Sequence, residues 1–256
     1  MKNIGLIGCG NIAETYFRSQ DYFNNINFVA CADKFPEAAI KCAEQNKITA
    51  LSVDEILKDK DIDIILNLTI PQAHFEVSKL ALESGKHVYS EKPMSITYDD
   101  AKYLLELARK NNLYFGNAPD TFLGGGGQLS RELIDKDEIG KILTGNFIFA
   151  FPGVQEFHPN PESWFQVGGG PVIDMGPYFF TTLVNLLGPA KNVRARGKLF
   201  SNQREYLVGP KKGKFFDVEI PTSVMFDVEF VNESIVQGFI SFDVQNHARN
   251  HLELYG

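Results

Sequence analysis

Five short apolar runs alternate with amphipathic segments in the first half of the chain, and this alternation strongly constrains its fold. The runs are "KNIGLIG", "NFVACA", "IDIILNL", "KHVYS" and "NLYFG". Runs that are apolar on both faces are typical of parallel strands covered by helices. The segments between them have helical spacing, so the first half is expected to form a doubly wound parallel sheet, an α/β fold.

The helical segments carry recognisable end signals. Segment 36–46 begins with Pro36, and segment 73–86 ends near Gly85, a residue suited to a helix C-terminus. Segment 97–112 has apolar residues at i, i+3, i+4 and i+7 behind Thr97, with Asp100 at the capping-box position. These signals predict helices between successive strands.

The turn after the first strand, "GLIGCGNIAE", fits the pattern G-x-G-x-x-G/A through Gly8, Gly10 and Ala13. The first glycine allows a tight turn, the second lets the backbone approach a pyrophosphate, and the small third residue lets helix and strand pack closely. The N-terminus of the helix that follows faces the phosphates, so Asn11 and Ile12 are also expected to bind the cofactor. The pattern predicts a dinucleotide site, although glycine-rich turns also occur without ligands.

An acidic residue ends the second strand at the position that such a site requires. Asp33 follows Gly10 by 23 residues (33 − 10), where its carboxylate can accept hydrogen bonds from the ribose hydroxyls. A carboxylate there repels a 2′-phosphate and favours NAD over NADP. Lys34 weakens this preference because its ammonium can reach a 2′-phosphate, so NADP stays open as the alternative.

Composition excludes several classes of partner. The net charge is −7, and an acidic surface repels nucleic acid backbones. Apolar segments are too short to span a membrane, and the stretch before Cys9 is too short for a signal peptide. Cys9, Cys31 and Cys42 lie in apolar segments and are interpreted as reduced, buried thiols of a soluble cytoplasmic protein.

The second half predicts a different architecture, an α+β domain with a mostly antiparallel sheet. In "SVMFDVEFVNESIVQGFISFDV" alternate residues are apolar, and residues 232–234 predict a hairpin turn. A helix is expected near Pro177–Leu187, and Gly124–Gly127 is expected to form a turn because the Lys-Ser/Thr of a P-loop is absent. The expected domains are residues 1–118 for dinucleotide binding and 119–256 for substrate binding and oligomerisation.

No metal site is expected. His247 and His251 have a spacing that chelates metals on a helix, but in a strand it separates them by about 13 Å. No other grouping of cysteine and histidine in the sequence has the spacing of metal ligands.

Taken together, "GLIGCGNIA", "VACAD", "LTIPQAH", "GKHVYSEKP" and "GGGPVIDMGPY" carry a resemblance along the whole chain. The chain resembles the glucose–fructose oxidoreductase/inositol dehydrogenase (Gfo/Idh/MocA) family. The resemblance implies a Rossmann domain, a nicotinamide cofactor and a second domain that shapes a substrate pocket. It also implies hydride transfer between NAD(P) and a sugar, polyol or related cyclic alcohol or ketone.

The resemblance assigns roles residue by residue. The segment that passes the cofactor is matched by Thr69, Ile70, Pro71 and His74. The family's Glu-Lys-Pro is matched by Glu91, Lys92 and Pro93, so Glu91 and Lys92 are also expected at the cofactor, with Lys92 beside the nicotinamide and the substrate. Its second active-site motif is matched by Asp174 and Tyr178, although the last position is more often histidine in the family. The implied catalytic residues are Lys92, Asp174 and Tyr178, and the resemblance also implies a cis bond before Pro93.

This set of residues suits the oxidation of an alcohol, which needs a base for the hydroxyl proton. Free tyrosine titrates near pH 10, and a nearby ammonium brings it toward neutrality. The segment "FHPNPESWFQ" adds candidate substrate ligands, because His158 and Gln166 flank Trp164, whose face suits a sugar. A surface loop tolerates the same composition.

Two other functions share the same fold, a catalytically inactive nucleotide- or sugar-sensing regulator and an NAD-dependent glycosidase. The intact set of Lys92, Asp174 and Tyr178 argues against the regulator. Relatives typically continue past "HLELYG", so the chain is expected to be incomplete at its C-terminus relative to the family. An apolar edge strand at residues 251–255 further predicts a homo-oligomer.

Overall fold

A computed structural model describes residues 1–249 and 251–256 of the chain. These residues divide into two compact units, Met1–Ala118 and Pro119–Gly256. Each unit contains a sheet and its own buried clusters of apolar side chains.

The first unit contains a six-stranded, all-parallel sheet, as the alternating sequence predicted. Along the sheet the order is β3-β2-β1-β4-β5-β6. The strands are β1 (Lys2–Ile7), β2 (Ile26–Ala32), β3 (Thr49–Ala50), β4 (Ile64–Asn67), β5 (His87–Ser90) and β6 (Phe115–Asn117). Because β1 lies between β2 and β4, the chain reverses its direction of winding at β1, where open α/β sheets bind ligands.

Five α-helices of residues 1–118 connect these strands: α1 (Ala13–Ser19), α2 (Pro36–Asn46), α3 (Val53–Lys58), α4 (Pro71–Glu83) and α5 (Tyr98–Lys110). A short 3₁₀ helix, Gln20–Tyr22, follows α1. Thr97 caps α5 by accepting from the backbone N–H of Asp100, as expected. The short helix α3 was not predicted, although Ser52 and Glu55 form a complete capping box at its start.

The core of this sheet has two apolar layers. One contains Ile7, Ile65 and Leu104, and the other contains Leu6, Phe28 and Leu66. Successive residues of β1 and β4 therefore contribute to different layers, which explains why these strands are apolar without a polar face. The layers fix the ends of β1, β2, β4 and β5, where the proposed cofactor residues lie.

The second unit contains a five-stranded mixed sheet in the order β13-β7-β12-β11-β8 and a separate two-stranded sheet, β10-β9. Among the described residues of the larger sheet, only the β12–β7 pairing is parallel. Its strands are β7 (Thr144–Ala150), β8 (Ala190–Lys198), β11 (Ser223–Phe230), β12 (Ile235–Ser241) and β13 (Leu252–Tyr255), and the smaller sheet is β9 (Gln203–Glu205) and β10 (Phe215–Asp217). The predicted hairpin between β11 and β12 and the mostly antiparallel pairing are confirmed.

Among the described residues, this unit also contains two α-helices, α6 (Gly125–Asp135) and α7 (Pro171–Leu187), and short 3₁₀ helices at Thr121–Leu123, Val154–Glu156 and Glu162–Phe165. Leu183, Leu186 and Leu187 of α7 pack with Phe226 and Val228 on one face of the larger sheet. From Phe226 to Phe230, that packing makes buried residues of β11 alternate with half-buried ones.

Two of the sequence-based boundaries in this unit are wrong. The helix expected near Pro177–Leu187 begins at Pro171, a favoured first helical residue, and includes Pro177 in its interior. Gly125–Gly127 are helical rather than part of a turn. A side chain at Gly127 would come within 2.1 Å of the Phe122 carbonyl oxygen, so a close backbone approach explains that glycine.

The Lys92–Pro93 bond is cis, as the resemblance implied. The separation of about 13 Å between His247 and His251 is wrong, because the ring centres are 6.1 Å apart and His247 precedes β13.

Within residues 1–249 and 251–256, every helix is too short or too polar to cross a lipid bilayer.

Candidate active site

The glycine-rich turn after β1 has the shape that a bound dinucleotide requires. Gly8 has φ +104°, and a Cβ there would lie 2.5 Å from the carbonyl carbon of Leu68. A Cβ at Gly10, in contrast, would meet no described heavy atom within 4 Å. Gly8 therefore allows β1 to pass close to the end of β4, and Gly10 leaves open space beside the turn.

Asp33 connects this turn to the end of β2. Its Oδ2 accepts a hydrogen bond of 2.7 Å from the backbone N–H of Cys9, and its Oδ1 accepts one of 2.9 Å from Phe35. A carboxylate has about four acceptor positions, so both oxygens can accept further hydrogen bonds. Asp33 is half-buried and Lys34 beside it is exposed.

These features fit the adenosine diphosphate part of a nicotinamide dinucleotide. The opening beside Gly10 admits phosphate oxygens, and Asn11 and Ile12, directly before α1, are exposed. The spare acceptor capacity of Asp33 suits two ribose hydroxyls. When bound, the nicotinamide supplies the acceptor or donor of a hydride.

The turn after β4 is held by a buried polar network centred on Asn67. The Asn67 side chain accepts from the backbone N–H and hydroxyl of Thr69 and donates 3.0 Å bonds to Ser78 and the His74 carbonyl. Asn67 is fully buried, and sequence reasoning missed it because a polar residue at a strand end has many uses. The network sets the position of Thr69, next to the exposed Ile70 and half-buried Pro71.

His74 lies inside the unit rather than on its surface. Only 1% of the residue is exposed, and its ring nitrogens lie 2.6 Å from the Pro93 carbonyl oxygen and 2.9 Å from that of Thr69. Both contacts are to the backbone, so the ring joins the turn after β4 to the segment after β5. We interpret His74 as a residue that positions these two segments.

Glu91, directly after β5, is fixed by contacts with two other segments. Its Oε1 accepts a 2.8 Å hydrogen bond from the Tyr16 hydroxyl on α1, and its Oε2 accepts one from the Lys92 backbone N–H. The Asn117 side chain donates to the carbonyls of Ser90 and Glu91. Lys92 is half-buried and begins the cis bond to Pro93. The Tyr16 contact was not predicted, since no local pattern links residues 75 positions apart.

In the second unit, Asp174 and Tyr178 lie on the first half of α7, one helical turn apart, and both are half-buried. The backbone before the helix is tightly turned at Gly170, which has φ +93° and donates to the Trp164 carbonyl over 2.8 Å. The glycines before α7 thus connect the candidate substrate segment, residues 157–166, to the first turn of α7, which contains Asp174.

The candidate substrate residues are only partly brought together. The rings of His158 and Trp164 are 4.7 Å apart, and both residues are half-buried. Gln166 is exposed, two residues beyond Trp164. The His158 Nδ1 accepts from the backbone N–H of Asn160, which fixes the orientation of its ring.

The three cysteines come together, which their spacing in the sequence did not indicate. Cys31 and Cys42 are buried as expected, but Cys9 is half-buried. The Sγ atoms of all three lie within 4.8 Å of one another. The hydrogen bond with Cys9 lowers the pKa of Cys31 to about 7, and the contact with Cys31 together with burial raises the pKa of Cys9.

Comparison with known proteins agrees with this geometry. Residues 2–118 match the model of an oxidoreductase family with an NAD-binding Rossmann fold, and residues 128–256 match the GFO/IDH/MocA C-terminal domain. The chain belongs to the GFO/IDH/MocA family. The family resemblance seen in the sequence is thereby confirmed, as is its NAD-binding Rossmann fold.

Several members of the GFO/IDH/MocA family are similar to this chain. A dTDP-3,4-didehydro-2,6-dideoxy-alpha-D-glucose 3-reductase of Saccharopolyspora spinosa is 29% identical over 68% of this chain and 53% of its own length. A trans-1,2-dihydrobenzene-1,2-diol dehydrogenase of Xenopus tropicalis is 30% identical over 67% of this chain and 52% of its own length.

A solved structure of levoglucosan dehydrogenase with NADH and L-sorbose has the same fold. It superposes with a TM-score of 0.86 at 22% identity and covers 100% of this chain and 71% of that one. The chain spans about half the length of the curated GFO/IDH/MocA relatives that it matches.

Proposed function

We propose that this protein is an NAD-dependent oxidoreductase that transfers a hydride between the nicotinamide and a sugar, polyol or related cyclic alcohol or ketone. The observation that carries the proposal is the fixed position of Glu91, which accepts from Tyr16 on α1 and from the Lys92 backbone. This contact links the helix after the glycine-rich turn to the segment that the resemblance assigns to catalysis. The names of the similar proteins, a sugar reductase and a diol dehydrogenase, support the substrate class.

In this proposal residues 1–118 bind the nucleotide. Gly8, Gly10, Asn11 and Ile12 face the diphosphate, and Asp33 accepts from the ribose hydroxyls. Thr69, Ile70 and Pro71 line the path of the cofactor, while His74 holds the Thr69 turn from behind. The carboxylate of Asp33 favours NAD, with NADP as the alternative through the exposed Lys34.

Residues 119–256 bind the substrate and supply the acid–base group. Tyr178 exchanges the hydroxyl proton and Asp174 binds a substrate hydroxyl, and the positive charge is assigned to Lys92 of residues 1–118. His158, Trp164 and Gln166 are assigned to the substrate, because an aromatic face beside polar groups suits the C–H and O–H surfaces of a sugar. The tight turn between Trp164 and Gly170 supports this assignment, since it fixes that segment relative to α7.

The deciding experiment is a screen of sugars and polyols with the purified chain, in which the absorbance of the reduced cofactor is followed. Net reduction of NAD by one of these alcohols supports the proposal. Binding of NADH with no turnover of any sugar or polyol would favour a nucleotide-sensing regulator. Release of a free sugar from a glycoside without net reduction would favour a glycosidase.

We further propose a homo-oligomer formed through the larger sheet of the second unit. The face of that sheet opposite α7 forms a groove of about 560 Å³ around Met225 and Phe239, and 64% of Met225 is exposed. β13 and β8 are the two edges of the sheet. Light scattering should give a mass above the 28.7 kDa of a single chain. Met225→Lys should shift the measured mass toward that of the monomer. A monomeric wild-type protein would contradict this assignment.

A cytoplasmic location is proposed on separate grounds. The three cysteines are free although their sulfur atoms are close, a state that a reducing compartment maintains.

A further inference from the structure

All three cysteines of the chain converge at one place, although they come from different elements. Cys9 lies in the glycine-rich turn, Cys31 in β2 and Cys42 in α2. Their Sγ atoms lie within 4.8 Å of one another, and they form a three-member cluster of metal-ligand type among the described residues. Nothing in the proposed hydride transfer uses these thiols.

The spacing of the sulfur atoms suits a metal ion. With a metal–sulfur bond of about 2.3 Å, three thiolates around one ion lie about 4.0 Å from each other. The observed upper limit of 4.8 Å requires only small side-chain adjustments to reach that value. Asn46 donates from Nδ2 to the Cys42 Sγ at 3.8 Å, a contact of the kind that orients a metal ligand.

An entry path leads to the cluster. Cys9 and Cys42 line a groove of about 1000 Å³ between α1 and α2. Cys31 is fully buried behind them, while Cys42 is 8% exposed. An ion can therefore reach the first two sulfur atoms from solvent and bind the third in the interior.

We propose that Cys9, Cys31 and Cys42 form a three-sulfur binding site for a soft cation, with Cu(I) as its best match. Soft thiolate ligands favour Cu(I) and Zn²⁺, and structural Zn²⁺ takes four ligands whereas this cluster provides three. Each thiol that binds releases its proton to solvent, and no electron is transferred. The site lies outside the proposed catalytic residues and does not depend on them.

The cation also stabilises the glycine-rich turn. Cys9 stands between Gly8 and Gly10, and its backbone N–H donates to Asp33. A metal bond to its sulfur holds the turn in the conformation seen here, in which the space beside Gly10 is open. Binding of the cation and of the nucleotide is then linked, and each strengthens the other. This linkage rests on the proposed function, whereas the site itself does not.

The binding test uses the full chain, kept reduced with a phosphine in the absence of oxygen. Cd²⁺ serves as the spectroscopic probe through its thiolate charge-transfer absorbance, and Cu(I) and Zn²⁺ are supplied by competition with chromophoric chelators. We expect one ion to bind per chain. We also expect the protein to hold Cu(I) more tightly than Zn²⁺, so that a stronger competing chelator is needed to remove Cu(I). Absence of Cd²⁺ and Cu(I) binding would overturn the site, and tighter binding of Zn²⁺ than of Cu(I) would overturn the assignment to Cu(I).

Matched variants test the ligands. Cys31→Ser and Cys42→Ser should each weaken Cd²⁺ binding by at least about 100-fold, more than the loss of an outer hydrogen bond. Gln45→Ala, which lines the same groove without a thiol, should bind as the wild type does. Unchanged Cd²⁺ affinity in both cysteine variants would overturn the proposal. Because a variant can fail to fold, X-ray absorption on the wild-type protein loaded with Cu(I) gives a second test. Three sulfur neighbours around the copper would support the site, and nitrogen or oxygen neighbours in their place would overturn the proposal.

The linkage is tested by titrating NADH fluorescence with and without Cd²⁺. We expect NADH affinity to rise about 5-fold or more with Cd²⁺ in the wild type and to stay constant in Cys42→Ser. An unchanged or lower affinity in the wild type would overturn the linkage. Failure to bind NADH under any condition would instead contradict the proposed function, and the metal titration would still decide the site.

Discussion

The hydroxyl of Tyr16 donates a 2.8 Å hydrogen bond to Oε1 of Glu91, so the helix after the glycine-rich turn is tied to the segment that begins with Lys92. The second carboxylate oxygen of Glu91 accepts from the Lys92 backbone. A displacement of α1 would therefore change the position of the Lys92 backbone through Glu91.

Tyr16→Phe removes the hydrogen bond and keeps the ring. We expect kcat to fall by about 3- to 10-fold, since one hydrogen bond contributes about 0.5–1.5 kcal/mol. Steady-state kinetics and NADH titration will separate the effect on turnover from that on binding. Tyr98→Phe, at a tyrosine that is 79% exposed, is the control and should be neutral. A kcat equal to that of the wild type would show that Tyr16 does not position the segment.

The two glycines of the turn should respond differently to alanine. Gly8→Ala is expected to lower the free energy of unfolding by about 1–3 kcal/mol. The φ of Gly8 is +104°, and the added Cβ would collide with the Leu68 carbonyl. Gly10→Ala should change it by no more than about 0.5 kcal/mol but should weaken NADH binding, since its Cβ enters the open space. Urea unfolding and NADH titration distinguish the two. Equal stability losses would refute this interpretation of the turn.

Asp33 should determine the choice of cofactor. The wild type is expected to bind NADH more tightly than NADPH, and Asp33→Asn should narrow the difference by removing the repulsion of a 2′-phosphate. The change keeps an acceptor for the Cys9 N–H, so the turn should survive. Fluorescence titration with both cofactors measures the ratio. A wild type that prefers NADPH would exclude the role given to Asp33.

The proposed catalytic residues should separate binding from chemistry. Lys92→Ala is expected to abolish turnover while NADH affinity stays within a few-fold of the wild-type value. Tyr178→Phe should reduce kcat by about 10²–10⁴-fold, the usual contribution of a positioned acid–base group. A loss of less than tenfold in Tyr178→Phe would place the acid–base group elsewhere.

The second unit contains an acid-sensitive ion pair. Burial alone would raise the pKa of Glu162, but hydrogen bonds from Lys211 and Tyr206 outweigh it and lower that pKa. A lowered folded-state pKa means that the contribution to stability is present above the unfolded value of about 4.3 and is lost as pH falls below it.

Lys211→Met should therefore destabilise the protein slightly at pH 7, because the pair is partly exposed, and should have a smaller effect at pH 3. Urea unfolding across this pH range measures the difference, with Lys212→Met at the neighbouring exposed lysine as control. An effect of Lys211→Met that is constant between pH 3 and pH 7 would rule out the pair as its cause.

Several parts of the protein follow from the sequence alone, because they depend on short-range physics. The alternation of apolar strands with capped helices determined the parallel sheet, and the spacing of Gly8, Gly10 and Ala13 located the turn at its edge. Proline at position 36 and Thr97 marked helix starts that the structure has. In each case the signal lies within one element or one turn, where backbone sterics and capping act.

Other features were decided only by the tertiary structure, because they join residues far apart in the chain. The order β2-β1-β4-β5 brings Cys31 to Cys9, and α1 brings Tyr16 to Glu91. The contact of His74 with the Pro93 carbonyl oxygen, 19 residues further along the chain, has the same origin. No periodicity or turn signal encodes such contacts, since they depend on which strands are neighbours and on how closely the helices pack against them.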